Sequence, residues 1–346
     1  MQLLETMALE GHDRVIAVQH EASGLRAWIA LHHLGSGPAY GGIRVWSYRT
    51  ESDALHDALR LSRAMSFKCV LAGVPGGGGK TVVLADHLRD RPVAMRALGR
   101  EIEALGGAYQ TGPDAGFDDA DREALMQETS HMAHFYSGGQ LRSAGEATAE
   151  GAEHGIRAAL AHLGVDGFAG LRVAIQGLGS VGHALAGRLI AEGATVIGAD
   201  PDRDAAARAR QLGVELVDPS RILEIPCDVL APCALGGTIH DLSISRLETR
   251  VVAAVANNTL GHPAQAALLA AREVLYLPDF VLNAGALIEG SGFAREGRTD
   301  WSTELQGIGT TIGEILRRAE VESRSTMEVA EGLAEERFRA RQSGVE

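Results

Sequence analysis

Apolar and polar positions alternate with a period of two near the start of the chain, in Val15–Val18 and again in Leu25–Leu31, as half-buried strands do. Gly35–Pro38 supplies turn material, and Ala39–Trp46 reads as one strand opened by a glycine pair. The period then lengthens. Leu55, Ala58, Leu59, Ser62 and Met65 recur at helical spacing behind Thr50 and Asp53, which resemble a capping box. This predicts a helix ending near Lys68, a glycine loop over Gly76–Gly79 with Lys80 at its edge, and a strand Thr81–Leu84. A helix near Pro92–Leu105 stops at Gly106-Gly107, and Tyr109–Gly116 is a short strand running into a loop with Asp114 at its tip. Gly138–Gly145 has the small residues of a linker, and a helix follows from about Thr148 to Leu163. From Leu171 onward strands and helices alternate, with apolar strands at Arg172–Gln176, Thr195–Asp200, Val214–Val217, Cys227–Leu230, Val251–Val255 and Val274–Leu277. Residues 302–341 are mainly helical, with Ile308, Ile312, Ile315 and Leu316 on one apolar face. The class this pattern predicts is α/β, in two domains of 1–137 and 138–322, with a C-terminal helix over 323–346 packing back on the body.

Two stretches carry chemistry. Lys68 and Lys80 stand twelve residues apart, the second directly after four glycines. Glycines allow close backbone approach, and a partly desolvated lysine loses basicity and becomes useful for proton transfer. A flexible loop with two solvated lysines is the plainer reading, and Gly73–Lys80 with Thr81 also fits the spacing of a phosphate-cradling loop. Asp114 by itself reads as a turn-former or cap, and becomes a proton-transfer partner if the fold brings it beside Lys80.

The second stretch is the stronger nucleotide signal. Gly177-Leu178-Gly179-Ser180-Val181-Gly182 lies between a strand and a helix, with Asp200 at the end of the next strand. That context makes it a dinucleotide turn, with the pyrophosphate at a helix N-terminus and the acid on the ribose hydroxyls. Asp200 repels a 2′-phosphate and so favours NAD over NADP, although Arg203 is near. Asn257 and Asn258 follow an apolar strand, as does Asn283, where a parallel sheet builds its ligand crevice; the two adjacent asparagines also suit a helix cap before Pro263.

Composition narrows the class. A net charge of −13 argues against general nucleic-acid wrapping. No apolar run is long enough for a membrane span and the N-terminus lacks a signal pattern, so a cytoplasmic location is expected. Cys69, Cys227 and Cys233 read as reduced and structural, and His32-His33 and His131 with His134 lack the carboxylate spacing of a metal site, so no metal is expected.

Taken in order, Gly37–Arg44, Leu61–Lys68, Gly77–Lys80, Thr111–Gly116, the dinucleotide turn, Ala231–Gly236, Ala256–Asn258 and Pro278–Gly285 resemble the NAD-dependent amino-acid dehydrogenases of the glutamate/leucine/phenylalanine/valine group, nearest the leucine, phenylalanine and tryptophan branch. The likeness spans nearly the whole chain. It implies an N-terminal substrate and oligomerisation domain, a Rossmann-type NAD domain, a cleft between them, and a homo-oligomer, dimer or octamer. It also implies reversible oxidative deamination of a large apolar, even aromatic, L-amino acid to its 2-oxo acid and ammonia. By the same likeness Lys80 is the general base and Asp114 its partner; lowering the Lys80 pKa needs burial or a cationic neighbour, for which Lys68 is a candidate. Lys68, Asn258 and the Gly41 backbone hold the substrate carboxylate, and Met65, Tyr40, Gly112 and Leu287 line the side-chain pocket. Thr148, Cys233, Ala234, Asn257 and Asn283 join the glycine turn around the cofactor. The chain departs from the family at Glu146 and Glu289, which are read as facing solvent; facing the site, they would suit a polar or basic substrate. A cofactor-binding sensor without turnover is the alternative of a different class.

Overall fold

The computed structural model describes residues 3–132 and 142–343. The chain divides into two compact units, Met1–His134 with Ala334–Glu346, and Phe135–Leu333. Half of the expected linker Gly138–Gly145, residues 138–141, lies outside the described residues, and its last two residues, Ala144 and Gly145, open a helix capped by Ser143.

In the first unit the order is α1 (Leu3–Glu10), β1 (Arg14–His20), β2 (Leu25–Leu31), β3 (Ala39–Tyr40), β4 (Ile43–Trp46), α2 (Glu51–Leu71), β5 (Gly77–Leu84), α3 (Arg91–Glu103), β6 (Tyr109–Gln110) and α4 (Asp119–Leu125). The sheet runs β1-β2-β5-β3-β6, with β4 also on β5. The β1–β2 and β2–β5 pairs are antiparallel, whereas β3 and β4 lie parallel to β5. The single strand expected over Ala39–Trp46 is thus two, broken at Gly41-Gly42. A Cβ on Gly41 would collide with the Gly79 carbonyl across the sheet.

The glycine run is not a loop. β5 begins at Gly77 and every residue to Leu84 is buried. Three glycines in a strand forfeit side-chain packing, but here they bring β5 against α2: a Cβ on Gly78 would strike the Ser62 carbonyl and the Ser66 amide. Helix α2 is set by the Thr50/Asp53 capping box, with both reciprocal bonds at 3.1 Å. Beneath it His12, His32 and His33 are buried. His32 Nδ1 bonds Ser66 Oγ at 2.8 Å, and the ring of Phe338, from the C-terminal segment of this unit, lies 5.2 Å from His32 and 5.0 Å from His33.

The second unit contains α5 (Ala144–His162), β7 (Arg172–Gln176), α6 (Ser180–Ala191), β8 (Thr195–Ala199), α7 (Arg203–Gln211), β9 (Glu215–Leu216), β10 (Val229–Pro232), α8 (Asp241–Ile244), β11 (Val251–Ala253), α9 (Gln265–Ala270), β12 (Leu275–Leu277), α10 (Asp279–Leu282), α11 (Gly285–Glu296) and α12 (Ser302–Glu322). Helix α13 (Thr326–Ser343) starts here and ends in the first unit. The sheet is wholly parallel, in the order β12-β11-β10-β7-β8-β9. The strand order reverses at β7, a doubly wound sheet whose ligand edge lies at the strands' carboxyl ends.

Candidate active site

In the first unit the fold gathers residues distant in sequence. Lys80 sits mid-strand on β5, opposite Ala30 of β2, and is 6% exposed. Asp114 lies in the turn after β6, and the Ile43 amide donates to the Gly112 carbonyl at 2.8 Å, holding that turn beside β4. Lys80 Nζ meets Asp114 Oδ2 at 2.5 Å. Lys80 and the glycines before it lie within a buried strand and not in a loop between a strand and a helix, so the phosphate-loop reading falls.

Burial drives the Lys80 pKa down, against the pull of Asp114, and Arg44 adds to the lowering. For Asp114 burial works upward, but Lys80 and then Arg44 outweigh it and hold the carboxyl below the usual range. The pair is therefore a fixed carboxylate beside an ammonium that gives up its proton more readily than a solvated one. Burial, one of the two routes the sequence left open, is the main cause, and the cation that adds to it is Arg44. Arg44 Nε donates to Asp114 Oδ2 at 3.0 Å. Sequence reading passed over it although it closes the quoted Gly37–Arg44 motif; the signal was an arginine alternating with apolar Ile43 and Val45 on a strand.

Lys68 occupies the last turn of α2, half-buried, with Met65 one turn before it. The Gly41 N–H is donated to the Gln110 carbonyl at 3.2 Å, so the amide expected to assist a substrate carboxylate is engaged in the sheet. Tyr40 is buried with its ring against Gly76, while Gly112 keeps partial exposure.

In the second unit the glycine turn joins β7 to α6. Gly177 has φ +90, and a Cβ there would be 2.6 Å from that of Ala234. A Cβ on Gly182 would collide with the Gly177 carbonyl, so the turn is closed on itself. Gly179 caps α6 without a side-chain bond, and a Cβ on it would meet nothing within 4 Å. The first-turn amides of this twelve-residue helix, including those of Ser180, Val181 and Gly182, have no intrahelical acceptors, which suits a diphosphate. Asp200, just past β8, accepts from the Leu178 N–H at 2.7 Å and the Asp202 N–H at 2.8 Å, tying the turn to the strand end. These features fit a dinucleotide with free ribose hydroxyls.

Further along the same edge, Cys233 follows β10, its amide donating to the Gln176 carbonyl at 2.7 Å and its thiol pushed up to about 12 by burial. Asn257 and Asn258 follow β11, both exposed. Neither caps a helix. Asn283 Nδ2 donates to Asn257 Oδ1 at 2.7 Å and to the Val255 carbonyl at 3.0 Å. Asn258 has φ +52, and its N–H donates to Asp279 Oδ2 at 2.5 Å. Thr148 is buried on α5, where Gly285 packs against the Ala147 carbonyl, and Leu287 is half-buried on α11.

Glu289 corrects its reading. It is 1% exposed, and Arg142 Nε donates to it at 2.9 Å while the other side of that guanidinium bonds Glu150 at 2.5 Å. Glu146 stays exposed, but its carboxylate accepts the Ser143 N–H and O–H at 2.8 Å as the second half of a capping box. One carboxylate is neutralised and the other caps α5, which removes the grounds for a basic substrate. Among the described residues no cluster of metal-binding side chains occurs, all three cysteines are free, and no helix is long and apolar enough to cross a membrane.

A family profile described as "Glu/Leu/Phe/Val dehydrogenase, dimerisation domain" matches residues 9–131. The "Glutamate/Leucine/Phenylalanine/Valine dehydrogenase" profile matches 138–205 and 200–304. Leucine dehydrogenase of Geobacillus stearothermophilus is 38% identical, over 98% of this chain and 94% of its own length. Phenylalanine dehydrogenase of Thermoactinomyces intermedius is also 38% identical, over 97% and 94%. The crystal structure of L-tryptophan dehydrogenase from Nostoc punctiforme superposes with a TM-score of 0.85 at 32% identity, covering 98% of this chain and 99% of that one.

Proposed function

We propose a division of labour among these residues from one premise: the chain belongs to the Glu/Leu/Phe/Val dehydrogenase family. It is an NAD-dependent amino-acid dehydrogenase that oxidatively deaminates a large apolar L-amino acid to the 2-oxo acid and ammonia. NAD+ supplies the hydride acceptor for the α-carbon. Neutral Lys80 takes the proton from the attacking water and returns protons as the amine leaves, and Asp114 orients the amino group. Lys68 and Asn258 bind the substrate carboxylate, while Met65, Tyr40, Gly112 and Leu287 face its side chain. The glycine at 112 leaves room for a ring, so phenylalanine is the expected best substrate, by the small margin that one methyl carries. The first unit assembles copies of the chain into a homo-oligomer in the cytoplasm.

The observation that carries this reading is the buried Lys80–Asp114 contact at 2.5 Å, in which burial lowers the basicity of the ammonium while the carboxylate stays ionised beside it. NADH formation from phenylalanine, tryptophan and leucine, followed by absorbance, is the test. Lys80→Ala is expected to lose about 10²–10⁴-fold in rate with NAD still bound. Undiminished turnover in that variant, or binding of NAD with no oxidation of any amino acid, would refute it.

A further inference from the structure

The Lys80–Asp114 pair does not end at Asp114. Oδ2 of that carboxylate takes both Lys80 Nζ and Arg44 Nε, at 2.5 and 3.0 Å. The opposite edge of the Arg44 guanidinium donates to Asp57 Oδ2 at 3.0 Å. Asp57, on α2, is itself held by two further donors: the Tyr48 hydroxyl donates to Oδ2 at 2.6 Å and Arg60 to Oδ1 at 2.8 Å. Side chains of Arg44, Asp57 and Asp114 are all at least four-fifths buried. Four charges thus alternate, Lys80, Asp114, Arg44 and Asp57, contributed by β5, the turn after β6, β4 and α2.

We propose that Arg44 and Asp57 are positioning residues for deamination, Arg44 fixing the oxygen that Asp114 presents to Lys80 and Asp57 fixing Arg44. This rests on the reading of Lys80 as general base. The alternation has a chemical use. When Lys80 releases its proton, Asp114 keeps a cationic partner and stays ionised and in place, whereas an isolated pair would lose its attraction and its geometry together. A planar guanidinium is suited to this because its two edges bond two carboxylates at fixed angle; an ammonium has no such fork. The two residues also act on Lys80 with opposite sign, the cation disfavouring its proton and the more distant carboxylate favouring it. Of the elements packed against Lys80, α2 also carries Glu51, Asp53, His56, Arg60, Arg63, Lys68 and Cys69, β2 carries Arg26, β6 carries Tyr109, and Tyr48 precedes α2; the charges that bear most on Lys80 are Asp114, Arg44 and Asp57. The Tyr109 hydroxyl is donated to the Gly41 carbonyl at 3.1 Å.

The test is the pH profile of kcat/KM for NAD-linked oxidation, whose acid-side limb reports the base in the free enzyme. Arg44→Gln is expected to move that limb to higher pH and Asp57→Asn to lower pH, each by on the order of one unit. Both should lower kcat, by about 10²-fold for Arg44→Gln, with KM little changed. Arg44→Lys keeps the charge without the fork, and should hold the limb near its native position while recovering only part of kcat. Limbs that stay put, or that move in the same direction in both variants, overturn the proposal, because a merely structural role has no reason to split them. Lys80→Ala run alongside separates the failures. If it remains active, the base assignment falls and this proposal with it; if it is inactive while the limbs do not move, only this proposal falls. Thermal melts check folding, and if Arg44→Gln does not fold, Asp57→Asn and Arg44→Lys decide the matter.

Discussion

Arg142 shows how one side chain changes the meaning of its neighbours. It bridges Glu289 and Glu150, two carboxylates that burial alone would not tolerate as anions, and burial already raises the Glu289 pKa before Arg142 opposes it. Arg142→Ala leaves Glu289 without its cation in a site where the acid is 1% exposed. The expected cost is about 2–3 kcal/mol at pH 7, below the figure for a wholly buried pair because the guanidinium keeps some contact with water. The sign with pH follows. Glu289 in the variant has a folded-state pKa above its unfolded one, so the folded form binds the extra proton, and the deficit shrinks as pH falls. Urea melts of the two proteins at pH 7 and pH 5 check it; a deficit that grows on acidification contradicts the assignment.

At the scale of elements, β5 decides the architecture of the first unit, and its glycines are there for the helix above them. Gly78→Ala places a Cβ into the backbone of α2, where no side chain can step aside, and is expected to cost at least about 3 kcal/mol. Gly73, at φ +67 in open space, should lose only about 1–2 kcal/mol as alanine, the cost of a left-handed backbone. Equal losses in the two melting curves would refute that account. The sequence made most elements legible, since capping residues and the shift from period two to helical spacing are local signals. It hid the strand nature of Gly77–Gly79, because a strand packed directly on a helix has the composition of a loop. It hid the break at Gly41-Gly42 because the contact that demands a glycine there is with the Gly79 carbonyl of β5, distant in sequence. Of the site, Lys80 and Asp114 were legible through motif likeness, whereas Arg44 was not: its partners lie 13 and 70 residues away, and only a folded sheet relates them. Glu289 was misread because its partner, Arg142, sits in a stretch that reads as a linker.

For the whole molecule, acidity is the expected weakness. His32 is pushed down to about 4, chiefly by burial, and burial lowers His12 and His33 as well. Folded-state pKa values below the unfolded one mean that the unfolded chain takes up protons first. Stability is therefore complete above about pH 6.5 and drains away toward pH 4, His32 alone accounting for on the order of 3 kcal/mol. His32→Gln, which cannot take the proton, should show a shallower loss between pH 6.5 and 4.5 by chemical denaturation; an identical slope would exclude His32 as a source.

Phe338, packed against those histidines, belongs to residues that return to the first unit after the whole of the second has been traversed. Synthesis from the ribosome is vectorial, and domains emerging first generally fold first. Here the earlier-made unit waits, its histidine pocket uncovered, until its own last segment has been translated.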